Sequence, residues 1–183
     1  GRPSAVESYS ASGRVVGLNI AAQYADANAN PARVASPGAT GLNAEFELTQ
    51  AGGKAHVSMQ QAALEFPGVF DEAAIPVDQL SADAQWQING EQFGLQLSNA
   101  RFANVDAQGE FSAQWHTADA AKSSARSRFP GVLDLQGSLS RADGARVYRY
   151  LPKSLPKDVR EYVHQAVQQG QASSAKFRVK GDL

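Results

Sequence analysis

The chain has 183 residues, with 17 Lys+Arg against 18 Asp+Glu and a formal net charge of -1. That balance excludes the basic face that a nucleic-acid binder needs to neutralise phosphates. The absence of cysteine excludes disulfides, thiol catalysis and Cys-ligated zinc or iron–sulfur sites.

The 43% apolar fraction overstates the supply of large side chains. Thirty-two residues are Ala, while Leu, Ile, Val and Phe together make 38 of 183. Such a chain builds a thin core or spreads its apolar surface over one face. No apolar run approaches the roughly 18 residues that span a bilayer. The start at Gly1-Arg2-Pro3-Ser4 lacks the apolar stretch of a signal peptide. The end at Lys180-Gly181-Asp182-Leu183 reads as mid-strand, so the sequence is expected to be a fragment of a larger protein.

In chain order, the dominant pattern is period-2 alternation, the signature of half-buried strands. A first strand over about 14–22 carries Val16, Leu18, Ile20 and Ala22 in phase. The segment 25–39 reads as a loop. Strands follow over 44–49 (Ala44, Phe46, Leu48), 54–59 (Ala55, Val57, Met59), 81–88 (Ala82, Ala84, Trp86, Ile88) and 92–98 (Phe93, Leu95, Leu97). Three more cover 107–116 (Ala107, Phe111, Ala113, Trp115), 132–139 (Leu133, Leu135, Leu139) and 174–180 (Ala175, Phe177, Val179). Ala51-Gly52-Gly53 and Asn89-Gly90 read as hairpin turns, and 117–128 as a loop. The stretch Leu42–Phe66 lines up with Leu80–Asn104, each a strand, a Gly turn, a strand and a third short strand. Phe66-Pro67-Gly68-Val69 recurs as Phe129-Pro130-Gly131-Val132.

Near the end, Leu155-Pro156-Lys157-Asp158 is a helix start. Val159, Tyr162, Val163, Ala166 and Val167 then form an amphipathic stripe, with Gly170 as the stop; the helix is expected over 155–170. A shorter helix is expected over Gly144–Tyr150. The fold class is therefore mainly β: one antiparallel meander domain over 1–183, curved into an open groove, with an amphipathic helix near the C-terminus.

Area arithmetic leaves a sandwich or barrel against a trough, and the low stock of large apolar residues slightly favours the trough. The helix is about 20 Å long and about 10 Å wide, while about eight strands span roughly 38 Å at about 4.8 Å each. One helix cannot cover that face. Either the sheet folds on itself as a sandwich, or it stays open and holds a ligand or partner. The helix itself is expected to pack on the sheet or to plug the groove.

No catalytic or metal-binding motif is present. His56, His116 and His164 are widely spaced, and no HExxH, GxSxG, P-loop or GxGxxG occurs. Acidic pairs such as Asp71-Glu72 sit beside turns, where carboxylates cap amides. The expectation is a non-enzyme with no cofactor and no metal. Trp86, Phe93, Phe111 and Trp115 serve as core packing, as the lining of an apolar groove or, least favoured, as a sugar-stacking platform. The candidate groove lining is Phe46, Leu48, Val57, Trp86, Ile88, Phe93, Leu95, Leu97, Phe111, Trp115, Leu133, Leu135, Phe177 and Val179. The basic cluster Arg141, Arg146, Arg149, Lys153, Lys157 and Arg160 either attracts anionic head groups or forms a solvated face neutralised by Asp143, Asp158 and Glu161.

Several of these residues carry a resemblance. Arg149-Tyr150-Leu151-Pro152, Leu155-Pro156, Val159, Tyr162, Ala166, Gly170 and Phe177 through Gly181-Asp182-Leu183 resemble the YhdP family of AsmA-like proteins. Leu64-Glu65-Phe66-Pro67-Gly68-Val69-Phe70, Ile75-Pro76-Val77-Asp78-Gln79-Leu80 and Trp86 look like the same family's preceding strands. The resemblance covers roughly 64–183, and Tyr162 stands where the family pattern has Trp. It implies a Gram-negative envelope protein with one inner-membrane anchor and a long periplasmic β-rich body. Such a protein carries phospholipid between membranes along a hydrophobic groove and supports the outer-membrane barrier. It also implies phospholipid acyl chains and adjacent segments of the same parent chain as partners. No catalytic residue carries over. The alternative is a non-enzymatic structural or interaction β-sandwich module of the envelope.

Overall fold

Alternating side chains make strands, and tight turns make neighbours antiparallel; the result is a single meandering sheet. In the computed structural model, residues 8–26, 28, 35–118 and 131–182 are described. The strands are β1 (Ser10–Ile20), β2 (Gly38–Thr49), β3 (Gly52–Glu65), β4 (Ala74–Asn89), β5 (Gln92–Ala103), β6 (Ala107–His116), β7 (Val132–Asp143), β8 (Gln171–Ala172) and β9 (Ala175–Asp182). They follow one another in space in sequence order, and β8 and β9 both pair with β7. The sheet is open and all nine strands belong to it, so the sandwich alternative does not form among the described residues. Residues 27 and 29–34 of the first expected loop and 119–128 of the second lie outside the described residues, as do Gly1–Ser4, Phe129, Pro130 and Leu183.

The strands run longer than the alternation alone suggests. β4 begins at Ala74 rather than 81, and β3 runs on to Glu65. The third short strand expected in each repeat is the same strand continuing past an irregularity. Those irregularities sit at Gln61 and Asn99, the non-glycine residues with positive φ (47° and 51°) among the described residues. They occupy equivalent places in the two repeats, at the offset that superposes Leu42 on Leu80.

The turns differ in detail from expectation. Asn89 pairs with Gln92, leaving Gly90 (φ +60°) at the first central position of a two-residue hairpin loop. Thr49 pairs with Gly52, so the other hairpin turns at Gln50-Ala51. Gly52 and Gly53 therefore belong to β3. Gly53 is required by what lies over it: a Cβ there would stand 2.5 Å from Cζ2 of Trp86.

Between β7 and β8 the chain leaves the sheet. It forms a 3-10 helix over Gly144–Tyr150, where a short helix is expected, and α1 over Lys157–Ala166. α1 is shorter than the expected 155–170 because Val167 leaves helical geometry (φ -100°, ψ 82°). The excursion opens and closes at one point, where Gly144 N–H donates to the Gly170 carbonyl at 2.8 Å. α1 packs on the 3-10 helix rather than on the strands. The Tyr148 and His164 rings stack there at 3.9 Å between centroids.

Candidate functional site: the apolar trough

Register decides which side chains share a face. Nearest the hairpin turns, Leu48, Gly53, Trp86, Leu95, Trp115 and Leu133 are successive cross-strand partners. The next row is Phe46, Ala55, Ala84, Leu97, Ala113, Leu135 and Val179. Val57 lies between Ala44 and Ala82. Beyond a shift in β5, Ala100, Phe111, Gly137 and Phe177 are partners. Ile88 pairs with Phe93 beside the Gly90 turn. The strand pleat thus brings all the candidate lining residues to one face.

A further row runs Leu18, Leu42, Met59, Leu80, Phe102, Gly109, Leu139 and Ala175. None of these is in the candidate lining set. In β5 the reason is physical. The extra residue at Asn99 reverses the alternation, so the apolar phase passes from Leu95 and Leu97 to Ala100 and Phe102. The visible signal is the spacing Leu42-Ala44-Phe46 and Leu80-Ala82-Ala84, which extends the rows by one step.

The rings lie along the face instead of standing off it. Trp86 covers Gly53, and at Gly137 a Cβ would meet Cζ of Phe177 at 2.7 Å. Phe93 and Trp115 pack at 5.9 Å, and Phe102 and Phe111 at 6.0 Å. Bulk on one strand over glycine on the next gives a smooth floor.

This face stays largely uncovered. Among the described residues the buried apolar side chains are Met59, Val77, Ala82, Ala100 and Ala107, and Met59 is the one large side chain fully enclosed. The named lining residues are partly exposed. At the hairpin end of β1–β4 an open depression of about 620 Å³ is lined by residues of both faces, Leu48, Gly53 and Trp86 with Glu47, Lys54 and Gln85.

The opposite face is polar and paired. Gln85, Gln96 and Gln114 are cross-strand neighbours. Lys54–Glu47 (3.0 Å), His56–Asp83 (2.8 Å) and Arg178–Asp134 (2.7 Å) span adjacent strands. Asp83 is held below the usual carboxylate range, first by the Asn99 amide donating to it and then by His56. Arg178 does the same for Asp134.

The basic cluster is mostly spent inward, on partners that are distant in sequence. Arg149 pairs with Glu72 (2.7 Å) and Asp106 (2.5 Å), and Arg160 with Asp71. Arg141 donates to the Asn104 and Val105 carbonyls, and Lys157 pairs with Glu161 (3.3 Å). The neutralising carboxylates are thus largely those of the 66–73 and 104–106 connections, which the local sequence does not reveal. Around them, Tyr150 Oη donates to Asp106 at 2.9 Å and receives the Asn104 amide at 3.0 Å. Burial, above all, pushes the Tyr150 hydroxyl up to about 12. Asn104 Oδ1 accepts from the Asp106 and Ala107 amides at 3.0 and 2.8 Å. This knot fastens the helical excursion to the ends of β3–β4 and β5–β6.

No cluster of metal-ligating side chains occurs among the described residues, and no helix there is long and apolar enough to cross a membrane.

A single open meander sheet with one apolar face and one charged face defines a groove-forming β protein. The family model described as YhdP protein matches residues 3–183, and the chain belongs to that family of AsmA-like proteins of the bacterial envelope. No curated protein and no solved structure gives a match.

Proposed function

We propose that the trough holds phospholipid acyl chains on its apolar face while head groups remain in water, as one segment of an inter-membrane lipid transport protein. The observation that carries this reading is the width of the apolar rows across β1–β9 with no second layer over them among the described residues. Family membership supports the envelope setting. In this reading the chain is a non-enzymatic periplasmic part of a single-pass inner-membrane protein. Adjacent segments of the parent continue the path, and the whole supports the outer-membrane barrier.

The energetics suit passage rather than storage. Each buried CH2 contributes about 0.8 kcal/mol, so full enclosure of a 16-carbon chain would hold it by more than ~10 kcal/mol. An open trough touches the chain on one side, and a floor rich in Ala44, Ala55, Ala84 and Ala113 lowers the grip further.

The test is a photo-crosslinking residue placed at Leu97 or Phe111 on the apolar face, and at Gln96 or Gln114 on the outer face. Lipid extraction and mass spectrometry should find phospholipid adducts from the first pair alone. Equal yields from both faces, or none from either, would defeat the reading.

A further inference from the structure

Of the seven strand pairings among β1–β7 and β9, β3–β4 and β7–β9 carry no register shift, and the other five shift near one level of the sheet. The β1–β2 register shifts on both sides of Leu18, and β2–β3 shifts between Thr40 and Leu42. Shifts follow at Ser81/Asp83 in β4–β5, Leu97/Ala100 in β5–β6 and Gln108/Gly109 in β6–β7. Each is flanked on at least one side by a residue within two positions of the row Leu18, Leu42, Met59, Leu80, Phe102, Gly109. Positive φ at Gly17 (67°), Gly41 (69°), Gln61 (47°) and Asn99 (51°) marks the same line. A bulge bends its strand and sharpens the local twist. Bulges aligned across a sheet therefore make a crease perpendicular to the strands.

Burial supports the crease independently. On an uncovered flat face a side chain as large as Met is rarely fully enclosed. Here Met59 and Ala100 are 1% exposed and Ala82 is 3% exposed, and all three lie on this line. Their enclosure is what a face bent toward itself along this line gives.

At one end the crease is fastened by a reciprocal pair. The tripeptide Gly17-Leu18-Asn19 in β1 lies beside Gly41-Leu42-Asn43 in β2, with Leu18 opposite Leu42. Gly17 N–H donates to Asn43 Oδ1 at 3.0 Å, and Gly41 N–H donates to Asn19 Oδ1 at 2.9 Å. Each bulge frees an amide, and the asparagine of the other strand accepts it. Further along, Asn99 itself is tied to Asp83 at 2.8 Å.

We infer that the bulge line is the fold axis of the trough, and that the paired Gly-Leu-Asn tripeptides lock its angle at the β1–β2 end. The inference concerns the trough's shape and stands apart from what the trough carries.

The cysteine-free sequence allows a direct test. Spin labels go on Ser12→Cys and Ala21→Cys, two exposed positions that flank Gly17 in and just after β1. In the otherwise unchanged chain their separation should fall short of the roughly 30 Å that nine residues of straight strand span; a full-length reading overturns the crease. Adding Asn19→Ala and Asn43→Ala should lengthen and broaden that distance, by about 3 Å for the recovered rise of one residue. Asn19→Asp with Asn43→Asp retains both acceptors and should keep the original distance. A folded alanine variant with an unchanged distance overturns the lock.

Discussion

Arg149 Nη1 donates to Asp106 Oδ2 at 2.5 Å across 43 residues of sequence. Asp106 is 4% exposed, and the same carboxylate oxygen accepts from Tyr150. The pair joins the 3-10 helix to the β5–β6 connection, so the helical excursion hangs on a buried charge that needs its partner.

Arg149→Met leaves that carboxylate enclosed without a cation. Removing one member of a buried pair costs about 3–5 kcal/mol, so the urea midpoint should fall steeply. Glu47→Gln, which breaks the exposed Lys54–Glu47 pair, should change stability by less than about 1 kcal/mol. Equal effects from the two variants would remove the special standing of the Arg149–Asp106 contact.

Gly53→Ala drives a Cβ against the Trp86 indole and the Glu47 carbonyl, at 2.5 and 2.6 Å. Overpacking of this kind costs about 1–3 kcal/mol, and the displaced indole should shift its fluorescence to the red. Gly94→Ala meets nothing within 4 Å and should be neutral or stabilising by up to about 1 kcal/mol, since glycine inside a strand carries an entropic cost. Chemical denaturation with emission spectra on both variants decides the matter.

Met59→Ala should be costly for its size, because Met59 is the large side chain that the fold encloses. Truncation of such a residue costs about 2–5 kcal/mol. Leu48→Ala, at a partly exposed position on the same face, should cost clearly less. A crease that did not enclose Met59 would make the two variants alike.

Stability should fall in acid through Asp83 and Asp134. Both have folded values depressed below the ordinary 3.8, by Asn99 and His56 in one case and by Arg178 in the other. Their contribution is therefore complete above that value and disappears as pH drops through the lower folded value. Asn99→Ala should flatten the acid limb of a plot of urea midpoint against pH.

At the alkaline end the sign reverses. Tyr150 titrates near 12 in the folded state against an ordinary 10.0. Its contribution is complete below pH 10 and is lost between pH 10 and 12. Tyr150→Phe should remove that loss, and the absorbance titration of tyrosinate should lose its last-ionising group.

Strand order and the apolar face were legible because alternation and Gly-marked turns are local. Each strand's inner phase is written every second residue, as in Ala82-Ala84-Trp86-Ile88. The Leu80–Phe102 continuation was hidden where Asn99 inverts the phase, since a period-2 reading stops at the inversion. The role of the basic cluster was hidden for a different reason. Arg149 and Arg160 find Glu72, Asp106 and Asp71 only after the meander brings the 66–73 and 104–106 connections to the same end of the sheet. Asp143, read as a neutralising charge, instead accepts the Ala145 amide as the cap of the 3-10 helix.

The Gly144–Gly170 contact makes the helical unit a detour with a common entrance and exit. The backbone returns to β7 where it departed, so the ladder Asp143–Gln171 and Ala142–Ala172 resumes without displacement. Length at this junction can therefore change, from a short connector to a larger appendage, while the lattice of paired strands keeps its spacing.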